Sequence, residues 1–298
     1  MATREGELLA PAVRKPRDDE IDVYGLTHQG KVRTENQDHF LIASLHRQMR
    51  VHGTSLPSLA ATSPETDRLA FLAMVADGVG GGMAGEEASR FALEAIAGYV
   101  TNSTHCYYTA DASDDEAFRR TLEEAALRVH EALMARSAQL PGRRGMATTL
   151  TLYLGVWPRI YLLQVGDSRY YLLRDGVLTQ VTRDQTLAQD LIDLGVLRRS
   201  DRTVARFSNV LSSAIGGAQT LPVVTGVHHE WGMVHLLCSD GLTRHVGDER
   251  IGERLRGMTS AREACEGLLQ DALDGGGRDN ITIVVGRTMR RDLTADDR

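Results

Sequence analysis

Cysteine is scarce in this chain of 298 residues: there are three, Cys106, Cys238 and Cys265. Their spacing matches no metal-ligand pattern and an odd number cannot all pair. That argues against a disulfide framework and for a reduced, cytoplasmic setting. An HExxH helix and any cysteine–histidine cluster are also missing, which argues against zinc. No apolar run reaches the length of a membrane span. The N-terminal residues are charged and lack the apolar centre of a signal peptide. Positive charge is in deficit, with 34 Lys and Arg against 40 Asp and Glu and a net charge of −6. A nucleic-acid binder would normally show a basic face, so nucleic acid is not an expected partner, and neither is a membrane.

What remains is ordinary globular composition, 42% hydrophobic and 25% charged. No repeat or internal low-complexity linker divides the chain. Strands and helices interleave so that no cut leaves two self-contained cores, and one domain over 20–287 is expected. Residues 1–19 and 288–298 read as a disordered tail and a frayed, charged tail. Strands are expected over 21–28, 39–45, 49–55 and 69–76. Two long amphipathic helices follow, over 86–100 and 116–137. Ala88, Ala92 and Ile96 mark the stripe of the first, and Leu122, Val129 and Leu133 that of the second. Further strands are expected over 147–156, 159–165, 169–174, 177–181, 223–228, 233–238 and 281–286. Asp175-Gly176 forms a hairpin turn. Short helices are expected over 185–194 and 248–256. A third, over 260–272, opens with capping-box spacing at Ser260 and Glu263. The polar stretch 183–210 reads as a flap, and 46–67 and 101–115 as long surface loops.

One stretch stands out, AMVADGVGGG at 73–82. An apolar run ends in Asp77, and a backbone almost free of side chains follows. This suits a strand-to-helix turn, and it equally suits a cradle for a cation or phosphate. Four more aspartates sit at strand boundaries: Asp38, Asp167, Asp240 and Asp279. Strand ends of one sheet lie close together, so such residues can converge on one site. A group of carboxylates would repel itself and raise its own pKa values unless hard, oxygen-seeking cations such as Mg²⁺ or Mn²⁺ were present. Each aspartate alone is equally a turn former or helix cap.

The residues around them carry a resemblance. RTENQD at 33–38, VADGVGGG at 75–82, GMATTL at 145–150, VGDSRYY at 165–171, LCSDGL at 237–242 and GRDNITIVV at 277–285 occur in that order. Together they resemble the metal-dependent serine/threonine protein phosphatases, the PPM or 2C-type family, in their bacterial form. The resemblance implies an α+β fold: a β-sandwich of two antiparallel sheets flanked by pairs of helices, four layers αββα. It implies two Mn²⁺ or Mg²⁺ ions bridged by Asp77, with the Gly78 carbonyl on one of them. Asp38 would serve the second ion, directly or through water, and Asp240 and Asp279 would hold the first. Asp167 would join Asp240 at a third, weaker metal, and Arg33 would hold the substrate phosphate. The implied reaction is hydrolysis of phosphoserine or phosphothreonine on proteins by a metal-activated water. It would oppose a bacterial serine/threonine kinase, in the cytoplasm and as a monomer.

The chain departs from the family at Val79, where many members have histidine, at Gln185, where a histidine is common, and at Ala147, where glycine is usual. None of these removes an expected metal ligand, and no histidine is nominated as the acid in its place. Cys238 lies inside an apolar strand and reads as core, not as a nucleophile. Two other functions stay in view. A phosphoprotein-binding module without catalysis should have lost one of Asp38, Asp77, Asp240 or Asp279, and all four are present. A small-molecule phosphatase would use the same centre.

Overall fold

The computed structural model describes residues 14–46, 49–55, 68–80, 83–102, 115–139 and 145–290. Its organisation follows from strands that are apolar on both faces. Strand β2 (Asp38–Leu45) is buried at all eight positions. Leu41, Ala43 and Leu45 point into one core cluster, and Phe40 and Ile42 into another. Such a strand must be covered on both sides, which is why it reads as a continuous apolar run. Strand β4 (Ala70–Val79) does the same: Leu72, Met74 and Ala76 face one way, Ala73 and Val75 the other.

Twelve strands among the described residues form two antiparallel sheets. The strands not yet named are β1 (Ile21–His28), β3 (Met49–Thr54), β5 (Ala147–Thr148), β6 (Leu150–Val156), β7 (Arg159–Val165), β8 (Arg169–Arg174), β9 (Val177–Gln180), β10 (Val223–His228), β11 (Val234–Cys238) and β12 (Ile281–Thr288). One sheet has the order β1-β12-β11-β8-β9. The other runs β10-β7-β6-β4-β2-β3, with β5 paired to the end of β4. Between the sheets lies a cluster of Phe40, Ile42, Val75 and Leu162 against Tyr170, Leu237 and Val284.

Helices α1 (Met83–Asn102) and α2 (Asp115–Gln139) cover the outer face of the second sheet. The predicted stripe of α2 is buried throughout: Phe118, Leu122, Ala125, Val129 and Leu133. Truncating Leu133, fully buried, to alanine should cost ~2–5 kcal/mol. Helices α6 (Asp248–Arg256) and α7 (Ala261–Asp274) cover the first sheet through Ile251, Leu255, Ala264 and Leu268. Shorter helices are α3 (Leu187–Asp193), α4 (Val204–Phe207) and α5 (Asp240–Thr243). The layers are therefore αββα, as the resemblance implied.

Several boundaries differ from the sequence reading. Strand β4 continues through Asp77 to Val79, because Gly78 and Val79 pair with Thr148 and Ala147 of β5. The run at 147–156 is accordingly two strands, not one. Gln185 is not in a helix. It is a buried tie, since its N–H donates to the Gly166 carbonyl (3.0 Å) and its Oε1 accepts from the Gly166 N–H (2.8 Å). The stretch read as a flap is thus anchored to the core at its start. Ser260 caps α7 as expected, accepting from the Glu263 N–H at 3.1 Å. The Glu263 carboxylate, however, closes on the Thr259 N–H (2.8 Å) and not on the cap itself. Asp175 and Gly176 both take positive φ (51° and 77°), as a two-residue hairpin turn requires.

Strand β12 reaches Thr288, and residues 14–19 are tied down. The Arg14 guanidinium grips the buried Glu20 carboxylate (2.5 and 2.6 Å), while Arg68 binds the Asp18 carboxylate and the Pro16 carbonyl. The rest of the predicted N-terminal tail, most of loops 46–67 and 101–115, the glycines at 81–82 and the end of the chain lie outside the described residues.

Candidate active site

Antiparallel pairing of β2 with β4 sets Asp38 directly opposite Asp77. Asp167 lies in the turn from β7 to β8, Asp240 opens α5 just after β11, and Asp279 lies two residues before β12 begins. All five predicted acids therefore gather at one end of the sandwich. Each is held by its neighbours. The Asp77 N–H donates to Thr149 Oγ1 (3.0 Å), and the Asp77 carbonyl accepts from Thr148 Oγ1 (2.8 Å) and the Thr149 N–H (2.9 Å). Thr149 Oγ1 is in turn 2.7 Å from Ser168 Oγ. The Thr282 hydroxyl donates to Asp38 Oδ2 at 2.8 Å.

The two Asp-Gly pairs have a steric cause. A Cβ on Gly78 would lie 2.2 Å from the Gly85 carbonyl oxygen, and one on Gly241 only 1.8 Å from that of Asn280. Only glycine lets these backbones meet. The sequence reading gave the glycines to ligand access, but at these two positions chain-to-chain approach already demands them.

Electrostatically the cluster works against itself. Burial pushes Asp38 up to about 7, against hydrogen bonds from Ser239 and Thr282 and with help from the charges of Asp240 and Asp279. Asp77 is driven well above the usual carboxylate range, by burial first and then by the charges of Asp38, Asp240, Asp167 and Asp279. Burial and the Asp240 charge raise Asp167 to about 8. Burial also raises Asp240, to about 6, although Arg244 pulls it down. Burial is the leading cause of each shift, and the neighbouring carboxylates add to it.

Two of their buried oxygens, Asp38 Oδ1 and Asp240 Oδ1, have no hydrogen-bond partner. A buried acceptor left open is costly, and an oxygen-only donor set with open acceptors fits hard divalent cations. The fit is one of donor chemistry and burial. Among the described residues no three histidine, cysteine, aspartate or glutamate side chains stand as a ready-made ligand set. Positive charge at this end comes instead from two arginines. Arg33, half exposed, sets its fork on Asp279, with Nε 2.8 Å from Oδ1 and Nη2 2.9 Å from Oδ2. Arg244 spans Asp240 and Asp279. Arg33, expected to hold the substrate phosphate, is brought to the acid cluster and pairs there with Asp279. Val79, 39% exposed at the end of β4, presents no proton donor there.

Two contributors escaped the sequence reading. Asn280 stitches the RTENQD loop to β12. Its Nδ2 donates to the carbonyls of Gln29 (2.9 Å) and Glu35 (2.8 Å), and its Oδ1 accepts from the Gln37 N–H (2.9 Å). Its place in the GRDN block was the available signal. Arg244 was signalled only by its four-residue spacing from Asp240, which places both on one face of a helical turn.

A β-sandwich whose strand ends gather five largely covered carboxylates beside an exposed arginine fork belongs to a class: centres built for divalent cations and an anionic substrate. The comparisons with known proteins narrow that class. The family profile described as "Protein phosphatase 2C" matches residues 60–274, a span that includes Asp77, Asp167 and Asp240. The chain belongs to the protein phosphatase 2C family. It is 37% identical over 217 residues to "Serine/threonine protein phosphatase PstP" of Mycobacterium tuberculosis, covering 72% of this chain and 40% of that protein. It is 31% identical over 228 residues to "Serine/threonine phosphatase stp" of Listeria monocytogenes, covering 76% and 87% respectively. The chain thus spans about two fifths of the length of PstP.

Among solved structures, that of Mycobacterium tuberculosis PstP/Ppp superposes with a TM-score of 0.71 at 31% identity, over 91% of this chain and 99% of the other. The PstP catalytic domain in complex with two manganese ions gives 0.68 at 31% identity, over the same shares.

Proposed function

We propose that this protein hydrolyses phosphoserine and phosphothreonine on proteins with the help of divalent cations. The observation that carries the reading is the convergence of five carboxylates, Asp38 and Asp167 buried and Asp77, Asp240 and Asp279 mostly covered, two of them with open oxygens, beside the Arg33 fork. Asp77, Asp38, Asp240 and Asp279, with the Gly78 carbonyl, would hold two Mn²⁺ or Mg²⁺ ions. Asp167 and Asp240, whose charges oppose each other, would serve a third, weaker one. Such ions supply a bound water acidic enough to be hydroxide near neutral pH.

The chain's own residues do the rest. Arg33 offers a planar fork that can take two phosphate oxygens at once. Thr149 and Thr282 fix the backbone at Asp77 and the carboxylate of Asp38, and so hold these two acids in place. Val79 offers no proton to the leaving alkoxide, so we assign no side chain to that step.

The expected partners are phosphorylated proteins and a serine/threonine kinase that the enzyme opposes, in the cytoplasm, with the enzyme as a monomer. The net charge of −6 weighs against nucleic acid. Among the described residues no helix is long and apolar enough to cross a membrane.

The test is direct. The Mn²⁺-supplied protein should release phosphate from a phosphothreonine peptide, and EDTA should abolish the release. Purified, folded protein with no turnover at saturating Mn²⁺ or Mg²⁺ would overturn the reading.

A further inference from the structure

The two arginines at the acid cluster do different things. Arg33 reaches Asp279 from a loop and leaves its own side chain half exposed. Arg244 sits at the C-terminal end of the short helix α5, where its N–H donates to the Asp240 carbonyl at 2.9 Å. Its guanidinium spans two acids. Nη1 lies 2.9 Å from Asp279 Oδ2, and Nη2 contacts Asp240 Oδ2. Between them the guanidinium groups occupy both oxygens of Asp279 and one of Asp240. The second oxygen of Asp240 stays open.

We propose that Arg244 is a built-in counter-cation: it competes with divalent metal for Asp240 and Asp279, and so sets the metal concentration at which the site fills. The proposal rests on reading the acid cluster as a metal centre. Four observations lead to it. First, the acids are largely covered and Asp240 feels the charge of Asp279, and a cluster of one sign needs a cation in order to pack. Second, Arg244 is the residue that bridges two of them, so its single charge offsets both. Third, the oxygens it holds belong to the carboxylates assigned to one ion, so the guanidinium charge opposes a metal's charge at the same acceptors. Fourth, Arg244 is about one-third exposed, while Asp240 and Asp279 are mostly covered. The arginine can swing towards solvent, whereas the acids cannot. Two ligands that compete for one set of acceptors lower each other's apparent affinity by the same factor.

The competition has a sign that a merely structural role does not share. If Arg244 only braced the site, removing it would loosen the acids and weaken metal binding. If it competes, removing it strengthens metal binding while the metal-free protein becomes less stable.

The measurement is calorimetric titration of Mn²⁺ into the metal-stripped full chain, with thermal melting of the same samples. Arg244→Gln should bind Mn²⁺ about tenfold more tightly than the wild type, towards the low end of typical couplings between two ligands. Its metal-free melting temperature should fall. Arg244→Lys keeps the charge but cannot span both carboxylates. It should tighten binding about threefold, and it keeps the test open should the glutamine variant not fold. Unchanged or weaker Mn²⁺ binding in either folded variant would overturn the role given to Arg244 and leave the metal centre standing. Absence of Mn²⁺ binding in the wild type and both variants would overturn the metal centre itself, and the proposal with it.

Discussion

The two ends of the sandwich bury polar groups on opposite terms. At the far end from the acids, a pocket of about 60 Å³ opens between the sheets, walled by Phe71, Tyr153, Trp157, His229 and His235. Residues 15 and 16 line its mouth. Most titratable groups there are paired or neutral, although the Thr288 hydroxyl is buried without a partner. Tyr170 Oη lies 2.7 Å from His235 Nδ1, His235 Nε2 lies 3.4 Å from His229 Nε2, and Arg68 is matched by Asp18. Burial keeps both histidines neutral, lowering His229 to about 4 and His235 well below its usual value. At the acid end, charges of one sign face each other and oxygens stay open. One end resolves its polarity within the fold, and the other leaves it for a ligand to resolve. The contrast gives a physical way to tell a site from a core, since structural polar groups are neutral or paired and functional ones are left in conflict.

Four experiments press on this contrast, from the largest effect to the smallest. Asp240→Asn removes one charge from the conflicted end and no core volume. Activity on a phosphothreonine peptide should fall at least ~100-fold, with an unchanged circular dichroism spectrum. Rates near wild type would refute the assigned site. Asn280→Ala cuts the stitch between the RTENQD loop and β12. It should lower stability by ~2–3 kcal/mol in urea unfolding, because two carbonyls and one N–H lose their partner. An unchanged midpoint would mean that the loop is held by other contacts.

The third experiment uses pH at the neutral end. His229 has a folded pKa of about 4, below its unfolded value of ~6.5. Between these values the unfolded chain binds more protons, so acidification favours unfolding and stability falls as pH drops through that window. The loss should approach ~3 kcal/mol by pH 4, and His229→Phe should reduce it. A variant with the same acid limb as the wild type would show that other groups carry the effect. The smallest effect is at Arg33. Arg33→Ala should raise KM about tenfold and leave kcat nearly unchanged, as the loss of a binding contact does. A constant KM would remove Arg33 from phosphate binding.

Much of this was legible in the sequence because of two-sided burial. β2 and β4 are covered on both faces, so they read as unbroken apolar runs, and the aspartates at their ends stand out. The long helices declared themselves through stripes such as Leu122, Val129 and Leu133. What stayed hidden depends on partners distant in sequence. Asp77 reads as the residue after a strand, yet β5 reaches across and extends β4 past it. Arg14, Arg17 and Asp18 carry the composition of a solvated tail, and nothing local reveals that Glu20 and Arg68 give that segment a place. Arg244 looks like any charged helix residue until Asp279, thirty-five positions later, is brought beside it. Gln185 breaks the family's usual pattern, and only the contact with Gly166 shows that it is held in the core.

The register of β2 on β4 carries one more consequence. Eight consecutive pairs, from Asp38 with Asp77 to Leu45 with Ala70, lock the two strands together. A slip of one residue would turn every side chain of one strand to the wrong face. Leucines would move between the sheets and the helices, and Asp38 and Asp77 would no longer meet. The same pairing that sorts the core thus brings together two of the five acids. A chain with these strands misaligned could not bring Asp38 and Asp77 together at all.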